Sequence, residues 1–330
     1  MLSSKALHSI RQCCSRNLVL RCTSVTLLPP SQKQSFSTES HEADDSNKKA
    51  VLIIGSSGAL GGAIAQHLKT VHGCFTVGAD LRAPPSQNSQ QYLDTVLELS
   101  ADYSSIPELA YGLETGLEET LEAEEGSRVE FNAIIVASGG FATDPPPPED
   151  PNSPQQYKAA NVYEHMMKLN YNPVVAAGML IPRYMTLDNG LFVAIGATAA
   201  LAPSPTLLAY TSSKAAAHAY LQSLGLTTGK ALKNKYLHRN TSPDATFQRQ
   251  LTPYLNELTV CGILPSTLDT EANRSSMPDA EFKMWTPPLD IARQIGIWLD
   301  TPALRPHSGS LMKVETTESE ESRTKFKLVR

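Results

Sequence analysis

The sequence predicts an α/β fold: a single Rossmann-type, doubly wound parallel sheet with helices on both faces. Two observations predict it. Short apolar runs alternate with stretches of helical periodicity along the chain. The first apolar run, Val51 to Ile54, leads directly into a glycine-rich turn at residues 55–61 and then into a helical pattern. We therefore expect residues 49–330 to form one NAD(P)-binding domain that holds its ligands at the carboxyl ends of the strands.

The predicted elements follow one another in the order that such a sheet requires. After the glycine turn, Ala63, Ile64 and Leu68 have helical spacing, and a second strand runs from Phe75 to Ala79. The remaining predicted elements are a strand at 133–137, a helix at 157–187, a strand at 191–196, a helix at 211–233, a strand at 259–264, a helix at 290–300 and a strand at 310–314.

The N-terminal segment differs in composition from the rest of the chain. No Asp or Glu precedes Glu39, whereas lysines and arginines are spread among serines and leucines. This composition is typical of an organelle presequence, so we expect residues 1–48 to be disordered and the protein to reach the mitochondrial matrix. A plastid or cytoplasmic location stays open as the alternative.

Cysteine spacing and charge exclude several classes of protein. Three of the five cysteines lie in the N-terminal segment, and Cys74 and Cys261 are too few and too far apart for a disulfide framework or a zinc cluster. We therefore expect no metal. The net charge of −5 gives no reason to expect nucleic-acid binding, and no apolar run approaches the ~20 residues of a membrane span.

Two segments do not fit the regular alternation of strands and helices. Residues 142–156 contain six prolines, which disfavour helix and indicate a surface loop. Residues 234–256 are polar and irregular, and we interpret them as an inserted loop.

The glycine turn has the features of a dinucleotide site. Gly55, Gly58 and Gly61 let the backbone approach a pyrophosphate at the amino end of a helix. We expect the intervening residues to contribute to the same site; they are Ser57, Ala59 and Leu60.

The second predicted strand ends in an acidic residue that bears on cofactor choice. Asp80 lies at the interval from the glycine turn at which a carboxylate accepts hydrogen bonds from the adenosine ribose. A carboxylate there repels a 2′-phosphate and favours NADH. Arg82 could turn toward such a phosphate, so NADPH remains possible.

Tyr210 and Lys214 are the candidate catalytic pair. Side chains four residues apart lie on the same face of a helix. A phenol has a pKa of about 10, and a nearby ammonium is expected to lower it enough for proton transfer. The spacing alone is weak evidence, because a surface pair on a helix would look the same.

The glycine turn, Asp80, Tyr210 and Lys214 together resemble the short-chain dehydrogenase/reductase superfamily over roughly residues 49–320. Within that superfamily, four C-terminal segments resemble the pterin reductases; they are residues 264–270, 273–282, 285–287 and 308–311. The resemblance implies NADH-dependent reduction of a quinonoid dihydropterin to a tetrahydropterin. It also implies a small-molecule pterin substrate and a homodimer formed through two long helices.

The resemblance assigns further site residues. Asn170 matches a helix asparagine that supports a proton relay through Lys214, although a capping or packing role would explain it equally well. Phe141 stands where the pterin reductases carry a tryptophan, and would stack on the pterin. The remaining assigned positions are expected to contact the cofactor; they are Gly139, Pro265, Thr267 and Leu268.

The chain departs from the superfamily at Ala197, thirteen residues before Tyr210, where typical members have a serine. Losing a donor to a developing oxyanion costs on the order of 2.7–4 kcal/mol, which disfavours ketone reduction unless Thr198 substitutes. A quinonoid dihydropterin is electrophilic enough to tolerate the loss. Two alternatives stay open: a short-chain carbonyl or sugar-nucleotide reductase, and a non-catalytic protein that senses NADH.

Overall fold

An eight-stranded sheet forms the centre of the computed structural model, which describes residues 48–81, 91–121, 129–146, 158–186, 189–227, 258–317 and 324–329. The first seven strands are parallel, and the eighth pairs antiparallel with the seventh. The strands are β1 (Ala50–Ile54), β2 (Phe75–Asp80), β3 (Thr95–Glu98), β4 (Ala133–Val136), β5 (Leu191–Ile195), β6 (Thr259–Leu264), β7 (Ser310–Thr316) and β8 (Thr324–Leu328).

Seven α-helices are described, and most of them connect consecutive strands. They are α1 (Ala59–His72), α2 (Ile106–Thr120), α3 (Lys158–Asn170), α4 (Asn172–Tyr184), α5 (Leu208–Thr227), α6 (Glu271–Ser276) and α7 (Pro288–Asp300).

The strand order is β3-β2-β1-β4-β5-β6-β7-β8. The chain therefore proceeds in one direction from β1 to β3 and in the other from β4 onward. This reversal leaves a crevice at the carboxyl ends of β1 and β4, where doubly wound folds bind their ligands. The predicted fold class is confirmed.

Both faces of the sheet are covered, which explains the continuous apolar runs in the sequence. Every residue of β1, β4 and β5 is buried. Successive side chains of β1 enter opposite cores: Leu52 and Ile54 join the core that includes α2 and α4, whereas Val51 and Ile53 join the core that includes α1 and α7.

The predicted helix over 157–187 is instead two helices. Residue Tyr171 interrupts the helix between α3 and α4, and the following Pro173 has no N–H to donate. The predicted helix at 211–233 begins three residues earlier, at Leu208, and is described as far as Thr227. Four described elements had not been predicted: β3, α2, α6 and β8.

Several predictions concern parts of the chain outside the described residues. These are the presequence apart from residue 48, Arg82, the loop at 234–256, and the loop at 142–156 beyond residue 146. In the described part of the chain, no helix is long and apolar enough to cross a membrane. That part also contains no group of three His, Cys, Asp or Glu side chains placed to hold a metal ion.

The two described cysteines are free thiols in the interior. Burial raises the pKa of Cys74 to about 11, with a smaller contribution from the Asp300 carboxylate, and burial raises the pKa of Cys261 to about 12. Both thiols are therefore protonated at neutral pH.

Gly55, which follows β1, should tolerate no side chain. Its φ of +89° is left-handed, and a Cβ there would lie 2.4 Å from the Ser138 amide nitrogen. Gly73 also has a left-handed φ, of +63°, but has open space around the position of a Cβ. We expect Gly73→Ala to cost roughly 1–2 kcal/mol of backbone strain and Gly55→Ala to cost clearly more. Urea unfolding measures both, and equal losses would contradict the steric argument.

Candidate active site

The glycine turn packs so closely that Gly55 and Gly61 leave no room for a side chain. The Gly55 amide donates to the Ala79 carbonyl at 2.7 Å, which joins the turn to the end of β2. A Cβ on Gly61 would lie 2.1 Å from the Gly55 carbonyl oxygen. The turn therefore brings bare backbone to the amino end of α1, between β1 and β4.

The amino end of α1 is suited to bind an anion. Its N-cap residue, Gly58, supplies no side-chain hydrogen bond, and the first turn contains no acidic residue. Among the described residues, no side chain caps the first-turn amides, and the helix dipole favours negative charge at this end. The buried Ser56 and Ser138 hydroxyls beside the turn have no hydrogen-bond partner among the described residues. These features fit a dinucleotide pyrophosphate.

Asp80 lies at the end of β2, directly beside the glycine turn. One of its carboxylate oxygens, Oδ2, accepts a hydrogen bond from the Ser57 amide at 2.9 Å. The structure therefore places Asp80, which is predicted to bind the adenosine ribose, next to the glycine turn, which is predicted to bind the pyrophosphate. Asp80 also stabilises the turn itself, a role that the sequence did not indicate.

Tyr210 and Lys214 lie one turn apart on α5, as their spacing predicts. Lys214 is 5% exposed, and its Nζ donates to the Ile195 carbonyl oxygen at 2.9 Å. Burial lowers the pKa of Lys214 to about 8. Even so, the amine is mostly protonated at neutral pH, which places a positive charge beside the end of β5.

The expectation that Lys214 lowers the pKa of Tyr210 is not met in this structure. Burial raises the pKa of the Tyr210 phenol, and the Lys214 ammonium is bonded to Ile195 instead of the phenol. The phenol is thus held in its protonated form, the form that can donate a proton. Tyr210 also contacts Phe141 edge to face, with ring centroids 5.0 Å apart.

Asn170, the last residue of α3, is 1% exposed and fully engaged. Its Oδ1 accepts from the Gly140 amide at 2.9 Å, and its Nδ2 donates to the Gly140 carbonyl at 3.1 Å and to Ser213 Oγ at 3.0 Å. These contacts fix the loop after β4 against α5. The relay role of Asn170 stays a prediction, whereas its positioning role is visible.

Gly139 brings the loop after β4 into contact with both polar side chains. A Cβ at this position would lie 2.9 Å from Asn170 Oδ1 and 3.0 Å from Lys214 Nζ. The loop therefore approaches Lys214 so closely that a side chain at residue 139 would crowd its ammonium. Next to it, Phe141 is 63% exposed and projects beside Tyr210, where a flat ligand could contact it.

The loop after β4 also caps α5. Asp144 accepts hydrogen bonds from the Leu208 and Ala209 amides, which are the first two residues of α5. The carboxylate thereby satisfies two free amides and complements the helix dipole. Asp144 thus joins the loop that carries Phe141 to the helix that carries Tyr210.

The end of β5, where the superfamily serine is missing, offers few hydrogen-bond donors. Ala197 is 3% exposed, and its amide donates to His218 Nε2 at 3.2 Å. The Thr198 amide donates to the Pro265 carbonyl at 3.0 Å, and the Thr198 hydroxyl lies 3.4 Å from the same oxygen. Thr198 is therefore turned toward β6 and does not replace the missing serine hydroxyl in this structure.

The segment after β6, which contains the predicted cofactor contacts Pro265, Thr267 and Leu268, lies beside the end of β5. The Thr267 carbonyl accepts from the Thr286 amide at 2.8 Å, and the Leu268 carbonyl accepts from Asn273 Nδ2 at 2.9 Å. These bonds hold the segment at the carboxyl edge of the sheet. Its contact with a cofactor stays a prediction.

Sequence reasoning missed three residues of the site: Asp144, Ser213 and His218. A signal existed for His218, which follows Lys214 by four residues and Tyr210 by eight on an otherwise apolar helix face. Nothing local indicated Asp144, because the amides that it caps lie 64 and 65 residues further along the chain.

Known proteins resemble this chain in sequence. A family model described as short chain dehydrogenase matches residues 49–231. A protein of Dictyostelium discoideum named dihydropteridine reductase is 27% identical over 268 residues, covering 81% of this chain and 95% of that protein.

Solved structures of low sequence identity share the fold. A short chain dehydrogenase from Salmonella enterica has a TM-score of 0.56 at 14% identity, covering 81% of this chain and 95% of its own. Acetoin dehydrogenase from Enterobacter cloacae has a TM-score of 0.55 at 15% identity, covering 81% and 94%. BdcA, solved in complex with NADPH, has a TM-score of 0.54 at 16% identity, covering 80% and 92%.

Removing the Asp144 carboxylate should loosen the start of the catalytic helix. We expect Asp144→Ala to lower the free energy of unfolding by about 1 kcal/mol, the usual cost of losing a helix cap. It should also speed hydrogen exchange at the Leu208 and Ala209 amides. Asp144→Asn keeps one acceptor oxygen, so its free energy of unfolding should lie between those of the wild type and Asp144→Ala. Asp279→Ala, which removes an exposed carboxylate, is the control; unchanged exchange in Asp144→Ala would contradict the capping role.

Proposed function

Since the chain belongs to the short-chain dehydrogenase family, and is thus an oxidoreductase of small molecules that uses NAD(P)H, we propose that it reduces quinonoid 6,7-dihydropteridine to 5,6,7,8-tetrahydropteridine, with NADH as the preferred cofactor. The relative named dihydropteridine reductase supports this substrate class. The segments from Leu264 to Leu311 that resemble pterin reductases also support it.

The observation that carries the proposal is the lack of donors around Ala197. The methyl group donates nothing, its own amide is bonded to His218, and the neighbouring Thr198 is bonded to Pro265. A ketone requires a donor on the oxygen that becomes an oxyanion. A quinonoid dihydropterin accepts a hydride into a conjugated electrophilic ring and does not depend on such a donor.

The reaction adds a hydride and a proton to the pterin, so the substrate gains two electrons and two hydrogens. NAD(P)H supplies the hydride when it is bound. In this proposal the glycine turn at residues 55–61 holds the pyrophosphate and Asp80 accepts hydrogen bonds from the adenosine ribose. Lys214 holds the nicotinamide ribose through its buried ammonium.

Tyr210 supplies the proton, directly or through water. Its raised pKa keeps the phenol protonated at rest, so the proton is available when the ring nitrogen of the substrate becomes basic. Phe141, exposed and in contact with Tyr210, stacks on the flat ring. Asn170 holds the loop that carries Phe141.

We also propose that the enzyme acts in the mitochondrial matrix and as a homodimer. The basic, serine-rich residues 1–48 support the location, and the resemblance to pterin reductases supports the dimer. Microscopy of a tagged full-length chain tests the location, and sedimentation equilibrium tests the dimer.

Turnover of freshly generated quinonoid dihydropterin, followed as NADH oxidation, tests the proposed reaction. We expect rapid turnover by the wild type and a loss of about 100-fold or more in kcat for Tyr210→Phe, because the variant lacks the acidic hydroxyl. The affinity for NADH, measured by fluorescence titration, should stay close to that of the wild type. Tyr220→Phe changes another tyrosine of α5 and is the matched control.

Other outcomes of the turnover assay identify the alternatives. Turnover of simple ketones or sugar nucleotides without pterin turnover would indicate a carbonyl or sugar-nucleotide reductase. NADH binding without turnover of any substrate would indicate a sensing protein. Full activity of Tyr210→Phe would contradict the role of the phenol as proton donor.

Asp80 should determine the preference for NADH. We expect Asp80→Asn to shift the ratio of kcat/KM for NADPH over NADH upward by about tenfold, since the carboxylate charge that repels a 2′-phosphate is gone. Asparagine can still accept from the Ser57 amide, so the turn should persist. Asp80→Ala removes both the charge and the acceptor. Comparing it with Asp80→Asn therefore separates the effect of the charge on cofactor preference from the effect of the hydrogen bond on the turn. An unchanged ratio in both variants would remove Asp80 from the ribose site.

A further inference from the structure

We infer that His218 is a positioning residue for the proposed reduction, because it holds the backbone of Ala197 at the place where the superfamily serine is missing. The inference deepens the proposed function and rests on it for the identity of the reaction. His218 lies behind the reacting centre and acts through Ala197, so it is not itself a catalytic residue.

Three polar side chains follow one another at intervals of four on α5: Tyr210, Lys214 and His218. This spacing places them on one helix face, on successive turns. The second and third both bind the end of β5. Lys214 Nζ donates to the Ile195 carbonyl at 2.9 Å, and His218 Nε2 accepts from the Ala197 amide at 3.2 Å. The helix that carries the tyrosine therefore also fixes the strand end opposite it.

The contact of His218 with the strand end is sterically specific. A Cβ on Gly196 would lie 2.3 Å from His218 Nε2, so the imidazole fits only because residue 196 is glycine. His218 is 4% exposed, so its imidazole is enclosed by the protein interior in this position. Gly196 is itself held by a bond from its amide to the Ile263 carbonyl at 2.8 Å.

The hydrogen bond also determines the state of the imidazole. Because Nε2 accepts, the neutral ring carries its proton on Nδ1. Burial, followed by the nearby Lys214 charge, lowers the pKa of His218 to about 4. The ring therefore stays neutral at physiological pH and keeps its acceptor. Without this acceptor, the buried Ala197 amide would have no hydrogen-bond partner. The free-energy cost of leaving the amide unpaired would favour movement of the strand end.

This arrangement explains how the site works without a serine. The Ala197 amide is engaged with His218, so neither this amide nor the Ala197 methyl group offers a hydrogen-bond donor at the end of β5. The same bond keeps this strand end at a constant position relative to Tyr210 and Lys214. Alignment of reacting groups is sensitive to displacements of about 1 Å.

The test compares His218→Leu, which keeps much of the volume without an acceptor, with His218→Gln, whose amide oxygen can accept from the Ala197 amide. With quinonoid dihydropterin and NADH, we expect kcat of the Leu variant to fall between about 10- and 100-fold. The Gln variant should recover most of that loss. KM for the pterin and the dissociation constant of NADH should change little in either variant.

A control separates positioning from stability. Leu221→Ala removes a buried side chain of the same helix outside the site and should lower the melting temperature while kcat per folded enzyme stays near the wild-type value. If His218→Leu behaves like Leu221→Ala, with kcat retained, the inference is overturned. It is also overturned if the Gln variant is as inactive as the Leu variant.

A second measurement does not depend on pterin turnover. Amide hydrogen exchange at Ala197, followed by NMR, should be slow in the wild type and in His218→Gln and fast in His218→Leu. Equal protection in all three proteins would overturn the inference even if the pterin reaction is confirmed. Absence of pterin turnover in the wild type would instead reject the proposed function, and the exchange result would still decide whether His218 holds Ala197.

Discussion

Lys214 places an ammonium group in the protein interior, and no described residue offers it a carboxylate partner. Burying such a charge is costly unless it is hydrogen-bonded, and here the Ile195 carbonyl supplies the bond. The need to hydrogen-bond this buried ammonium constrains the residues and elements around it. A side chain at residue 139 would crowd the ammonium, because its Cβ would lie 3.0 Å from Lys214 Nζ, and the bond to Ile195 requires α5 to lie close to the end of β5. Helix, loop and strand end are thus held around one charge.

The same arrangement limits the chemistry of the site. The positive charge of Lys214 and the protonated phenol of Tyr210 are suited to binding a cofactor ribose and to donating a proton. Around Ala197, however, the available donors are engaged with neighbouring protein groups. This arrangement supports the proposed substrate, whose electrophilicity is built into its own ring system. The Lys214 ammonium, the protonated Tyr210 phenol and the missing hydroxyl at Ala197 all support that proposal.

The sequence predicts the parts of this site that depend on local pattern. The run from β1 through the glycine turn to α1 was predictable because buried strands, glycine-rich turns and amphipathic helices each have a short-range sequence signature. The shared helix face of Tyr210 and Lys214 follows from their spacing alone. Contacts between distant segments were not predictable. Asp144 caps a helix 64 residues away, and the direction of the Lys214 ammonium depends on how α5 packs against β5. The effect of burial on the Tyr210 pKa has the same origin.

Strand β8 affects how copies of this chain can meet. By pairing antiparallel with β7, it occupies the edge that β7 would otherwise present, and it replaces that edge with a strand whose Lys325 and Lys327 are exposed. Charged side chains on an edge strand oppose the addition of further strands, because a second copy would bring like charges together. Assembly by continuous sheet formation is therefore disfavoured at this end of the molecule.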